Sequence, residues 1–330
     1  MNRQLCENAV CDLRFTIHEI MFTKSAAPQS WLAFELNVLH RLKFSSVILP
    51  FTPEPHLGAY LKRWNVSVAA NDLTQAGFVK SVAAIQNNGE KLVENDIETI
   101  LEDAYVPRYR LQNEALKNWF NETDAWWFDN IRGNIEKLGS TEAQAIALSI
   151  GTGVGDYVLS FTEDTRRLRQ PLSKVYRRLW NLQPNPVDNN QKNLCQNKPA
   201  KDFIAENFTA ELMFLRLPRA HNLSQRNYLG WTAWREEWIE GGDKFWNDLE
   251  RAQAGKFGTS VETKSQYLQL LEEVLQTASH ISKWAIAHVE DGFVSTQNIV
   301  ETIGRVQRVD TIFTKDFSEL SGAKAVIITA

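Results

Sequence analysis

The chain has 330 residues, ordinary apolar content and a formal charge of −4 at pH 7. That length can bury one large core or two smaller ones. The charge gives no global pull toward nucleic acid, so any phosphate contact must come from a local patch.

No apolar run reaches the ~20 residues needed to cross a bilayer. The first residues lack the basic-then-apolar order of a secretory signal. Three cysteines, Cys6, Cys11 and Cys195, cannot all pair internally and sit at no zinc spacing. These features predict a cytoplasmic protein in a reducing compartment, with neither membrane nor metal among its partners. The six histidines are scattered, and His18-Glu19 does not extend to a metalloprotease H-E-x-x-H because Phe22 stands at the last place.

Residues 1–30 are mixed in character and end in a loop, SAAPQS. Trp31, Phe34, Val38 and Leu42 then recur at helical spacing and predict a helix over 31–42. Ser45 to Phe51 reads as a buried strand, and Pro53 and Pro55 stop any regular element after it. A helix over 56–64 follows, then a strand from Val66 to Ala70 closed by Asn71-Asp72, then a helix over 73–86. From 90 to about 182 the pattern is helical and charged, and residues 183–200 are polar and turn-rich, predicting a long surface loop.

The last third alternates again. Leu212 to Leu217 reads as a strand and 264–282 as an amphipathic helix with Tyr267, Leu271, Val274, Ala278 and Ile281 on one stripe. Strands are predicted at Trp284–Val289, Val309–Phe313 and Ala325–Thr329, with a helix over 296–305. The alternation predicts an α/β fold with a parallel sheet. Residues 1–89 and 200–330 supply the core and 90–199 a mostly helical insertion; no internal repeat is visible.

Strand, sharp turn, helix, strand and acidic residue, from Ser45 to Asp72, is the frame of a nucleotide-binding unit, yet the turn reads Thr52-Pro53-Glu54-Pro55-His56 where such turns carry glycines. The order and spacing of segments from about Trp31 to Ala330 resemble the DNA adenine methylase family, which transfers a methyl group from S-adenosylmethionine to the amino group of adenine. Leu49-Pro50-Phe51 stands where the family has E-P-F and a glycine run, Asn71-Asp72 matches its N-D, and Asp202-Phe203 matches its D-F pair. Arg216-Leu217-Pro218-Arg219 stands where the family has D-P-P-Y, with only the second proline kept. The early W-x-G-G-K-type loop would fall between Gln29 and Leu36, where neither glycine nor lysine is present.

The resemblance implies a Rossmann-like, S-adenosylmethionine methyltransferase-type sheet with a C-terminal β-hairpin and a helical insertion. It implies vestigial cofactor roles for Asp72 (ribose hydroxyls), Asp202 (adenine amino group), Phe203 and Phe51. The plainer alternative is that Asp72 ends a strand and Asp202 caps a helix.

The departures act on the chemistry directly. Pro53 and Pro55 remove two N–H donors, and Glu54 adds negative charge near the carboxylate end of a bound S-adenosylmethionine. Arg216 is a permanent cation with no acceptor, so it cannot receive a proton from an amino group, and it would repel the sulfonium. The expectation is a chain with no cofactor, S-adenosylmethionine being the one it would take if any, and no catalytic residue.

Elsewhere, Gly151-Thr-Gly-Val-Gly155 reads as a helix exit and flexible loop rather than a phosphate loop, since no strand feeds it and no lysine follows. Arg166, Arg167, Arg169, Lys174, Arg177 and Arg178 form a basic cluster suited to phosphate tracking on DNA; the alternative is a solvated face paired with acidic helices at 90–103 and 235–250. Trp231, Trp234 and Trp238 at helical spacing read as packing.

The resulting expectation is a catalytically inactive relative of adenine-specific DNA methyltransferases, nucleic-acid-associated or an interaction module. Its rivals are an active methyltransferase with a rearranged site and a purely structural or regulatory partner of an active paralogue.

Overall fold

The computed structural model describes residues 31–290, 293–318 and 323–330. In chain order its strands are β1 (Ser46–Leu49), β2 (Ser67–Asn71), β3 (Leu194–Gln196), β4 (Leu212–Arg216), β5 (Lys283–Glu290), β6 (Thr311–Phe317) and β7 (Ala323–Thr329). They form one seven-stranded sheet in the order β3-β2-β1-β4-β5-β7-β6. The first five strands are mutually parallel. β7 runs antiparallel to both β5 and β6, so the chain closes on a hairpin whose second arm lies inside the first.

Strands buried on both faces explain the near-continuous apolar runs in the sequence. Val47, Leu49, Leu212, Phe214, Ala285 and Ile327 point into one core layer. Their neighbours Ile48, Met213, Leu215, Trp284, Ile286 and Ile328 point into the other. The period of two within each run assigns the faces.

The first layer is covered by α1 (Trp31–Leu39), α2 (His56–Arg63), α3 (Gln75–Ser81, continued by a π-turn over Val82–Gln86) and the helices of the middle segment. These are α4 (Glu94–Leu101), α5 (Glu122–Ile135), α6 (Thr141–Leu159) and α7 (Leu172–Asn181). The second layer is closed by α8 (Ala200–Glu206), α12 (Lys264–Thr277) and α13 (Thr296–Gly304). Between β4 and α12 lie α9 (Gln225–Leu229), α10 (Ala233–Ile239) and α11 (Trp246–Gln253). No described helix is long and apolar enough to cross a membrane.

Two sequence expectations are corrected. Residues 183–200 are not all loop, because β3 lies within them and pairs with the edge of β2. Three residues are too few to show a period. The strand is fixed by non-local contacts instead: Val68 N–H donates to Asn193 Oδ1 at 3.0 Å and Cys195 N–H to Gln86 Oε1 at 3.1 Å. The sheet therefore reaches into the segment assigned to the insertion.

The glycine run is likewise not a loop but the middle of α6. A Cβ at Gly151 would stand 2.2 Å from the Trp238 ring, and one at Gly155 2.1 Å from the Trp234 ring. The glycines let α10 lay two fully buried indoles against the α6 backbone, which offsets their poor helix propensity. Trp234 and Trp238 are packing residues, as their spacing implied.

Candidate functional site

The strand order reverses between β1 and β4, which opens a crevice at their carboxyl ends. The β1–α2 turn, Pro50 to Pro55, and the segment after β4, from Leu217, lead away from it. No residue of the turn has positive φ: among described residues that region holds Asn65, Asp103, Asn190 and Gly230, Gly241, Gly255 and Gly258. The turn therefore has no conformational need for glycine. Pro55 stands at the N-cap of α2, where its missing N–H costs no hydrogen bond.

Asp72, at the end of β2, is buried and fully engaged. Its carboxylate accepts from Thr52 N–H at 3.0 Å, Thr74 N–H at 2.9 Å and Thr74 Oγ1 at 2.6 Å. It ties the β1 turn to the N-terminus of α3, where Thr74 in turn caps the helix. Burial pushes its carboxyl up despite these bonds.

Arg216 ends β4 and forms a forked ion pair with Glu35 of α1: Nε to Oε1 at 3.0 Å, Nη2 to Oε1 at 2.8 Å and Nη2 to Oε2 at 2.7 Å. Glu35 is fully buried, which pushes its carboxyl up, and the Arg216 charge opposes that. Such a pair persists because removing either member strands a charge. Leu217 is buried and donates its N–H to Ala287 O at 2.9 Å, while Pro218 O accepts from Tyr267 Oη at 2.9 Å. Arg219 is exposed.

The other assigned positions fall apart in space. Phe203 is fully buried in the layer under α12. Asp202 is exposed in the first turn of α8 and does not cap it, since the N-cap is Pro199. Phe51 packs edge-on against Phe257, with ring centroids 5.8 Å apart. Gly258 has φ of 94°, and a Cβ there would meet the Phe51 ring at 2.8 Å, so the segment after α11 closes down on Phe51.

Two further acids complete the region, Glu236, unmarked in the sequence, and Glu54, which the sequence marks. Glu236 of α10 accepts from Gln75 N–H at 2.7 Å and Ala76 N–H at 2.9 Å, seating a carboxylate on the positive end of α3. Burial, with repulsion from Asp72 and Glu240, pushes it up to about 7. Glu54 pairs with Lys80 at 2.7 Å; burial would raise its carboxyl, but Lys80, Arg235 and His56 outweigh that and hold it low. Arg235 forks onto Asp156 at 3.0 and 2.5 Å. The polar side chains around the crevice are thus spent on one another.

The basic cluster divides. Arg169 pairs with Asp124 at 2.9 Å, Arg166 with Glu163 at 3.5 Å and Arg177 with Glu94. Arg167, Lys174 and Arg178 are in no ion pair among the described residues. The acidic helix at 90–103 supplies one partner as expected, but the stretch at 235–250 supplies none. Glu237, for instance, is fully buried and accepts from Trp119 Nε1 at 2.6 Å, Trp246 Nε1 at 3.0 Å and Arg226 Nε at 2.7 Å.

Cys195 is buried and its thiol is pushed up to about 12 by desolvation, which suits neither nucleophile nor ligand. Among the described residues no group of three or more His, Cys, Asp or Glu could hold a metal. The readings of Cys6, Cys11 and His18 lie outside the described residues. No protein-family model matches the chain, and no curated protein matches it.

Proposed function

We propose that this chain is a non-catalytic interaction module built on a methyltransferase-type sheet, a degenerate relative of the adenine-specific DNA methyltransferases. The observation that carries the reading is the forked Glu35–Arg216 pair at the end of β4. At the place the resemblance gives to a catalytic acid, the side chain is a cation already neutralised from α1. A carboxylate is present, but it is buried and both its oxygens are taken by guanidinium, so neither is free to accept from an amino group.

Supporting it, Asp72 is occupied by Thr52 and Thr74, and Phe51 is covered by Phe257 and Gly258. The parallel strands followed by a C-terminal antiparallel hairpin agree with the resemblance. The test is calorimetric titration with S-adenosylmethionine and S-adenosylhomocysteine. The expected result is no heat up to millimolar ligand. Micromolar binding would overturn the reading and return the active methyltransferase to first place.

A second reading, contact with DNA, rests on Arg167, Lys174 and Arg178, the cluster members in no ion pair among the described residues. If they touch phosphates, replacing Lys174 and Arg178 by alanine lowers the slope of log affinity against log salt by about 0.9 per lost contact. An unchanged slope removes DNA and leaves protein partners.

A further inference from the structure

A cavity of about 380 Å³ lies among the helices that cover the first layer, between α2, the α3 π-turn, α6, α7 and the segment 183–187. That volume is in the range that small-molecule sites use. Small residues from three elements line it: Ala59 from α2, Ala83 and Ala84 from the π-turn, and Gly153 from α6. Side chains this small leave a slot of open space between α2, the π-turn and α6. Ile146, Ile150 and Leu179, all buried, make its floor apolar.

Charge is distributed unevenly along the slot. The inner groups are neutralised in pairs, Lys80 by Glu54 and Asp156 by Arg235. The exposed lining residues at the mouth include Arg63, Lys91 and Glu90. None of these three is in an ion pair among the described residues. Arg63 lies over the Tyr60 ring at 5.1 Å and Lys91 donates to Asn185 Oδ1 at 2.9 Å. The mouth therefore carries one uncompensated positive charge beside aromatic walls, Tyr60 and Trp180, the latter held by its Nε1 bond to Leu92 O at 3.0 Å.

We propose that this cavity binds a small planar aromatic anion, its ring in the slot between Ala59, Ala83, Ala84 and Gly153 and its carboxylate or phosphate at Arg63 and Lys91. The fit follows from shape and charge together. A flat apolar body replaces water against small side chains, and a single anionic head meets the only charge the lining leaves unbalanced. The proposal does not rest on the methyltransferase reading: the cavity shares Glu54, Pro55, Lys80 and Asp156 with the surroundings of the β1/β4 crevice, but its other walls come from α6, α7 and the segment 183–187.

The test is titration of the full chain with 2-naphthoate and 2-naphthyl phosphate, with neutral 2-naphthol as reference. The expected result is binding of at least one anion at least tenfold tighter than naphthol. The tighter of the two identifies the head group. Ser149→Phe, which fills the slot from α6, should abolish binding. Arg63→Glu, at an exposed position that leaves the fold intact, should weaken it about tenfold. Three outcomes each overturn the proposal: no binding of either anion at millimolar concentration, naphthol binding as tightly as the anions, or Arg63→Glu without effect. If Ser149→Phe does not fold, Ala59→Phe fills the same slot from the opposite wall.

Discussion

The crevice at the ends of β1 and β4 and the cavity under α6 and α7 lie on neighbouring parts of one sheet and have been treated oppositely by the sequence. In the crevice every prominent polar group has an internal partner. Arg216 has Glu35, Asp72 has Thr52 and Thr74, and the end of α3 has Glu236. In the cavity the charges at the mouth face solvent, and the lining combines small side chains with the apolar Ile146, Ile150 and Leu179. A topological switch point is a place where backbone geometry favours a ligand, but whether one fits depends on side chains.

The largest expected effect comes from breaking the crevice pair on one side. Glu35→Ala leaves Arg216 without its counterion and should cost about 3–5 kcal/mol in urea unfolding. The double change Glu35→Leu with Arg216→Met should recover most of that loss. If the single change costs less than about 1 kcal/mol, Arg216 has reached solvent and the crevice is not sealed as described.

Next is the packing that separates the two regions. Gly155→Val drives a side chain into the Trp234 ring and should destabilise by about 1–3 kcal/mol, or more if α10 cannot retreat. Trp234→Ala in the same background should restore part of the loss, whereas a change at the exposed Gly139 should do nothing.

The third concerns pH. The folded Glu236 carboxyl titrates near 7 and its unfolded value is close to 4.5, so the folded state holds the extra proton between them. Stability contributed by that proton is complete below the unfolded value and is lost as pH rises toward 7. Glu236→Gln keeps an acceptor for the α3 N–H groups and should flatten this dependence, gaining about 2 kcal/mol at pH 8. Thermal melts of both proteins at pH 5 and pH 8 check it; a variant that loses stability equally at both overturns it.

The smallest effect belongs to the surface. Arg177→Ala breaks an exposed pair with Glu94 and should change stability by less than about 0.5 kcal/mol. A loss well above that would mean that the basic face supports the fold rather than waiting for a partner.

Much of the fold was legible in local pattern. β1, β2, β4, β5 and the closing hairpin sit within a few residues of their apolar runs, and α12 follows its stripe. A buried strand needs a run of apolar residues and a surface helix needs a 3.6-residue period, so both leave a trace in the sequence. β3 left none, because three residues of mixed polarity are held by Gln86 and, through the adjacent Asn193, by Val68, both from elsewhere in the chain.

The glycines of α6 misled for a related reason. Glycine is a helix breaker when nothing lies against it, and only the arrival of Trp234 and Trp238 makes its missing side chain an advantage. That the β1–α2 turn carries prolines rather than glycines and that β4 ends on Arg216 rather than an acid was plain in the sequence, since it needs only the identity of Pro53, Pro55 and Arg216. What surrounds them was not. Glu35 is a lone acid in an apolar helix, Glu236 one of several acids in an amphipathic segment, and Phe257 an ordinary aromatic. Sequence by itself determines which elements can form and which chemistry is missing. Only the tertiary structure decides which distant side chain meets which, because burial and charge pairing act through space and not along the chain.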